Sequence, residues 1–202
     1  MKRRLLTPLA LFVVPMLILA GCSKPPTTEV QAAQDAIQKA QAAEAGTYAP
    51  EALSKAQAAQ TALDTEMKAQ EQKFALFRKY DQAKTLAMDA QQTAQAAADE
   101  AGANKQRFKT ETETMMAEVT TMLHETEAML STAPVGKGTT LDLQVMRTDL
   151  EGANSAITEA KALYDQEKFA DAKNKLTSAQ STIEQVKTSI EQAQAAKKGK
   201  AS

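Results

Sequence analysis

From residue 29 onwards, apolar side chains recur at every third or fourth position, the spacing of a helix with one buried face. The pattern is most regular near the C-terminus. Leu143, Met146, Leu150, Ala153, Ile157, Ala160 and Tyr164 make one unbroken run; Phe169, Ala172, Leu176, Ala179, Ile183, Val186, Ile190 and Ala193 make the next. With Asp165 to Lys168 as the turn, these runs predict an antiparallel hairpin. A turn centred between Gln166 and Glu167 pairs positions whose numbers sum to about 333. Leu143 then meets Ile190, Leu150 meets Ile183, Ile157 meets Leu176 and Tyr164 meets Phe169, with Ala153 near Ala179 and Ala160 near Ala172.

Upstream, breakers divide the chain. Thr28 and Gln31 have capping-box spacing, predicting a first helix from Glu29 to about Ala45 that Gly46 ends. Pro50 suits the first turn of a second helix and Glu51 its positive end. Residues 51 to 101 contain no Pro or Gly. Leu53, Ala56, Gln60, Leu63, Met67, Gln70, Phe74 and Phe77 continue the 3-4 spacing, and Ala83, Ala87, Ala90, Ala94, Ala97 and Ala101 add a stripe of small residues. An unbroken helix of that length is about 75 Å long. Gly102 and Asn104 predict a turn, and a third helix to about Ser131 places Phe108, Met115, Val119, Met122 and Met129 on one face, with Met116, Leu123 and Leu130 beside them. Thr132 to Gly138 reads as a linker, and Thr139 with Asp142 as another capping box. The expected fold is all-α: elongated antiparallel hairpins in a coiled-coil-like bundle of about five helices. Its parts are a leader over 1–21, a Pro-Pro tether over 22–28, an Ala-rich three-helix region over 29–131, a linker over 132–139 and a C-terminal hairpin over 140–197. A faint echo links Ala36-Ile37, Ala40 and Tyr48-Ala49 with Ala156-Ile157, Ala160 and Phe169-Ala170; duplicated hairpins or Ala-rich coincidence would each produce it.

Composition sharpens the fold class. Ala is about a fifth of the 202 residues, aromatics are 4%, and Trp is absent, which disfavours sandwiches, barrels and doubly wound sheets. One Cys and one His exclude a disulfide framework and a Cys/His zinc cluster.

The N-terminus carries the one specific motif. Lys2, Arg3 and Arg4 precede an apolar stretch, Leu5 to Leu19, that Pro8 and Pro15 interrupt and that is short for a bilayer-spanning helix. It closes on Leu19-Ala20-Gly21-Cys22, which resembles the lipobox of bacterial lipoproteins at every position. The resemblance implies that Leu19, Ala20 and Gly21 are read by the signal peptidase. It also implies cleavage before Cys22 and a covalent lipid on that residue, with no other cofactor. Ser23, rather than Asp, follows the Cys, which in enterobacterial relatives implies the outer membrane, facing the periplasm. Loss of residues 1–21 removes three basic groups and leaves 21 against 25 acidic ones, a net charge of −4, so no nucleic-acid partner is expected.

Residues 31–100 resemble an uncharacterised family of Ala-rich helical envelope lipoproteins, through Ala36-Ile37-Gln38-Lys39-Ala40, Gly46-Thr47-Tyr48-Ala49-Pro50-Glu51-Ala52-Leu53 and Ala56. That family has no assigned activity, so the resemblance implies fold and location only. The last hairpin, with Tyr164, Phe169 and Ala172 around its turn, loosely resembles one tetratricopeptide unit.

Candidate chemistry is sparse. Pro134 to Thr140 mimics a phosphate loop, but Ser131 stands where its first Gly belongs and Gly138 where its Ser or Thr belongs. His124 falls off the apolar face of its helix, and Glu111, Glu113, Glu118, Glu125 and Glu127 read as a solvated surface. No catalytic, cofactor-binding or metal-ligating residue is assigned, and no enzymatic activity is expected. Met115, Met116, Met122 and Met129 form either an adaptable partner-binding face or simple packing. The expected function is a lipid-anchored scaffold or spacer presenting helical surfaces to an envelope protein or the cell wall. The alternative is a periplasmic chaperone-like or tetratricopeptide-like binding module.

Overall fold

The computed structural model describes residues 24–133 and 139–200. It is all-α: α1 (Thr27–Ala42), α2 (Ala45–Tyr48), α3 (Pro50–Glu71), α4 (Asp81–Ser131), α5 (Thr139–Asp165) and α6 (Phe169–Lys200), with a 3₁₀ turn at Ala75–Phe77 and no strand among the described residues. Leader, lipobox, Ser23 and the centre of the 132–139 linker lie outside the described residues.

The architecture is built on α4. Its 51 residues make a rod about 76 Å long. The hairpin of α1 and α3 packs on its N-terminal half and that of α5 and α6 on its C-terminal half, so one helix serves two three-helix bundles. In the first bundle the seam is alanine: Ala83, Ala87, Ala90, Ala94, Ala97 and Ala101 are all buried on α4, facing Ala33, Ala36 and Ala40 of α1 and Ala56 of α3. Side chains this small let helix axes approach at the short end of the usual 8–10 Å range. The second bundle has a conventional core: Val119, Leu123 and Leu130 of α4, Leu150 and Ile157 of α5, and Leu176, Ile183, Val186 and Ile190 of α6. The seam's spacing changes with its chemistry. Buried α4 positions alternate by four and three from Ala83 to Ala101, whereas Ala101, Asn104, Phe108, Thr112, Met115, Val119, Leu123, Thr126 and Leu130 step by three, four and four. The heptad favours a left-handed supercoil and the eleven-residue repeat relaxes it.

The C-terminal hairpin has the expected register. Tyr164 and Phe169 meet edge to face at 5.1 Å, Glu159 and Lys175 pair at 2.6 Å, and Ala153 and Ala179 line one shallow groove. Ala193 alone departs from its stripe and is exposed. In a Cys22→Ser background, Ala153→Cys with Ala179→Cys should oxidise readily without loss of helicity, because the two buried alanines line one groove between α5 and α6 and the register sets them opposite each other, as a disulfide of about 7 Å Cα reach requires. A pair that stayed reduced under mild oxidant would show that the register is shifted.

Several expected boundaries move. No side chain caps α1; Pro26 supplies the carbonyl that accepts from Val30 N–H at 3.0 Å, and Thr28 lies inside the first turn. Gly46 does not stop α1. Glu44 does, in the left-handed conformation at φ 59°, and Gly46 lies within α2. Pro50 opens α3 as expected. The long uninterrupted helix exists, but over 81–131 rather than 51–101. The chain breaks between Glu71 and Asp81 without Gly or Pro, because side chains replace the helix's own bonds. Arg78 donates to the carbonyls of Glu71 (2.9 Å) and Lys73 (3.0 Å), and the buried Gln70 accepts from Lys79 N–H at 3.0 Å. Phe74 and Phe77, expected on the core stripe, are 67% and 71% exposed. Conversely, Gly102 and Asn104 make no turn. Gly102 sits on an open face of α4, where a helix-interior Gly costs about 1 kcal/mol. Asn104 donates to the Tyr48 carbonyl at 2.6 Å, satisfying the end of α2.

Candidate functional site

Of the residues singled out in the sequence, Leu19, Ala20, Gly21 and Cys22 lie outside the described residues. Met115, Met116, Met122 and Met129 come together on α4, each half-buried against the core of the second bundle. Each packs against the core that α4 shares with the α5–α6 hairpin and keeps part of its surface exposed. His124 is exposed, as expected, with Nδ1 3.3 Å from the Glu127 carboxylate one turn on. Glu111 is not part of a solvated face. It is half-buried and takes an ion pair from Lys173 of α6, which holds its carboxyl below the usual carboxylate value.

That ion pair belongs to a polar junction at the middle of α4, where the two hairpins meet tip to tip. Lys105 lies 3.2 Å from Glu44 and 3.7 Å from Glu167, the two residues whose left-handed backbones turn the hairpins. Burial opposes the charge on Lys105, but both carboxylates and Tyr48 outweigh it and raise its pKa. Phe108 receives the Tyr48 ring edge to face at 5.6 Å, and the Lys173 ammonium stands 5.0 Å from its centroid. Thr112 hydroxyl donates to the Phe169 carbonyl at 3.2 Å, and Tyr164 reaches Glu113 at 3.5 Å; burial first, then Glu113, raises the pKa of that phenol. The ion pairs of Lys105 with Glu44 and Glu167, and of Glu111 with Lys173, tie both hairpins to the middle of α4. The two tips share the left-handed Glu followed by a buried aromatic, Tyr48 or Phe169, which is where the sequence echo falls.

Chemically suggestive groupings are few. Among the described residues, no set of three or more His, Cys, Asp or Glu side chains is placed to hold a metal ion, and no helix is long and apolar enough to cross a membrane. The depressions are open grooves between helices, such as the one Val145, Met146, Asp149, Val186 and Ser189 line between α5 and α6.

One surface stands apart. The segment between α3 and α4 holds Phe74, Leu76 and Phe77 at 67%, 65% and 71% exposure, with the two rings 6.2 Å apart. Lys73, Arg78 and Lys79 flank them, and no carboxylate lies between Glu71 and Asp81. The turn is held rather than loose: Phe77 N–H donates to the Phe74 carbonyl at 2.8 Å, Arg78 ties it to the end of α3, and Tyr80 is buried beneath it with Leu63 and Ala83. Among the described residues, the other large exposed apolar groups are Met88 on α4 and Val145 on α5, each the one such group on its helix. Reading a continuous stripe through position 77 hid this cluster. Its signal was three of the eight Phe and Tyr residues within seven positions, among cations.

Compared with protein-family models, curated proteins and solved structures, the chain matches none.

Proposed function

We propose that this chain is a lipid-anchored cell-envelope protein that acts as a rigid spacer or scaffold, without enzymatic activity of its own. One observation carries the functional half. The apolar faces of four long helices, α1, α3, α5 and α6, close on the single 51-residue α4, leaving mostly polar surface along a rod about 76 Å long. Such an object holds a partner at a distance from its anchor. The anchor is Leu19-Ala20-Gly21-Cys22, with Cys22 only a few residues before α1. Ser23 after the Cys supports the outer membrane, with an envelope protein or the cell wall as partner. The chaperone-like or tetratricopeptide-like alternative needs an open apolar face, and the four methionines it would use are half-buried against the core of the second bundle.

Mass spectrometry of the mature protein tests the anchor. The expected N-terminal peptide begins at Cys22 and carries acyl chains, processing is blocked by globomycin, and Cys22→Ser yields an unlipidated, fully helical protein. An unmodified Cys22 in mature protein would defeat the anchored reading.

A further inference from the structure

The exposed turn and the start of α1 lie at the same end of the rod. Glu29, in the first turn of α1, pairs with Lys84, in the first turn of α4, at 3.0 Å. Val30 packs on the cluster of Leu63, Tyr80 and Ala83 directly behind the turn. Cys22 precedes Thr27 by five residues, which span at most about 18 Å when extended. An acyl chain on Cys22 therefore brings a bilayer surface to the end of the molecule where Phe74, Leu76 and Phe77 stand in water.

We propose that the turn from Lys73 to Lys79 is a lipid-docking site. In this arrangement Phe74, Leu76 and Phe77 enter the boundary between headgroups and acyl chains of an anionic leaflet, and the exposed Lys73 and Lys79 lie at the level of the phosphates. The composition matches that boundary. Aromatic and aliphatic side chains partition there, and each nearby Lys or Arg strengthens attachment to anionic lipid several-fold at moderate salt. A contiguous apolar cluster on a closed protein marks an interaction surface, and the cationic rim selects an acidic one. The turn is also pre-shaped, because Arg78 and the buried Gln70 fix its backbone from below. Docking needs no refolding. Two contacts at one end, the acyl anchor and the turn, set the direction of α4 and aim its Ser131 end away from the bilayer. The orientation rests on the anchored reading; the docking site itself does not.

The chain has no Trp, so Phe77→Trp supplies a clean reporter and Val145→Trp a control far from the turn. The lipidated mature protein is placed on vesicles of phosphatidylethanolamine and phosphatidylglycerol with brominated acyl chains. Emission from Phe77→Trp should shift to the blue and be quenched by at least about half, while that from Val145→Trp is unchanged. The unlipidated Cys22→Ser form should sediment with the same vesicles, and Phe74→Ser with Phe77→Ser should weaken that partitioning roughly tenfold or more. Both positions are exposed, so helicity should not change. A vesicle-bound lipoprotein whose Phe77→Trp emission stays that of a water-exposed indole overturns docking and leaves the anchor intact. Quenching in Cys22→Ser protein combined with an unmodified wild-type Cys22 does the reverse. A dimer in solution that the double Ser variant dissolves would also overturn docking, assigning the patch to a second copy of the chain.

Discussion

Ile183→Asp should detach the C-terminal hairpin from α4. Ile183 has no exposed surface and sits at the centre of the core formed by Leu123 of α4, Leu150 of α5 and Leu176 of α6. Burial of such a side chain contributes about 1.5–3 kcal/mol, and a carboxylate in its place has no cation within the cluster to meet it. The combined loss is about 4–5 kcal/mol, a large share of the roughly 5–15 kcal/mol by which a typical domain is stable. Because α4 passes through both bundles, the damage should be polar. Amides of α5, α6 and the Met-bearing half of α4 should exchange quickly, while those around the alanine seam stay protected. Ser181→Asp, exposed two residues away, should leave the melting curve unchanged. If Ile183→Asp melted with the parent, the α5–α6 stripes would face outwards, and the binding-module alternative would gain the open face it lacks.

This hairpin was legible in the sequence because its buried residues are large. Leu, Ile and Val at one register leave few ways to pair two helices, and Leu150, Ile157, Leu176 and Ile183 are buried as that register requires. The N-terminal half was harder to read, since Ala marks a helix without marking its inner face. Ala56 is fully buried while Ala58 and Ala62, on the same helix, are exposed. The small-residue stripe that the spacing predicts is buried on α4, yet the absence of Gly and Pro starts its helix at 51, thirty residues before Asp81. Gly102 looked like a stop, but tertiary burial of Ala97 and Ala101 on one side and Phe108 on the other carries the helix through it. The true break depends on Gln70 and Arg78 satisfying backbone groups, which no local rule for Gly or Pro detects. The exposed turn followed it into obscurity. Periodicity alone assigned Phe74 and Phe77 to the core, and only the break at Gln72 turns them outwards.

Ala94→Leu should be the most damaging apolar substitution in the first bundle, although Leu is a good helix former and more hydrophobic than Ala. Ala94 meets Ala36 of α1 and Ala56 of α3 in one buried cluster, so each of three helices offers a single methyl group there. A Leu adds three heavy atoms where the backbones themselves approach. The two facing alanines have no rotamers to exchange, and of the cluster's neighbours only Ile37 is a branched side chain, so the helices must separate. Overpacking costs about 1–3 kcal/mol in ordinary cores; with alanine on all three helices at this level, the upper end, about 3 kcal/mol, is expected. The bundle has little reserve, since Leu63 and Tyr80 are the large buried side chains of its cluster with Ala83, Ala87 and Ala90. Ala96→Leu, on the exposed face of the same helix, should be nearly neutral. Hydrogen exchange separates the outcomes: Ala94→Leu should deprotect α1 and α3 and leave α5 and α6 as they were. Separation of α1 from α4 would also part Glu29 from Lys84, the contact that keeps the anchored end of α1 beside the Phe74–Phe77 turn. In the lipidated protein, quenching of Phe77→Trp by brominated lipid should then fall, even though the acyl chain still holds the molecule to the vesicle. An Ala94→Leu protein as stable as its parent would mean that the three alanines do not meet, and the close-packed seam would have to be given up.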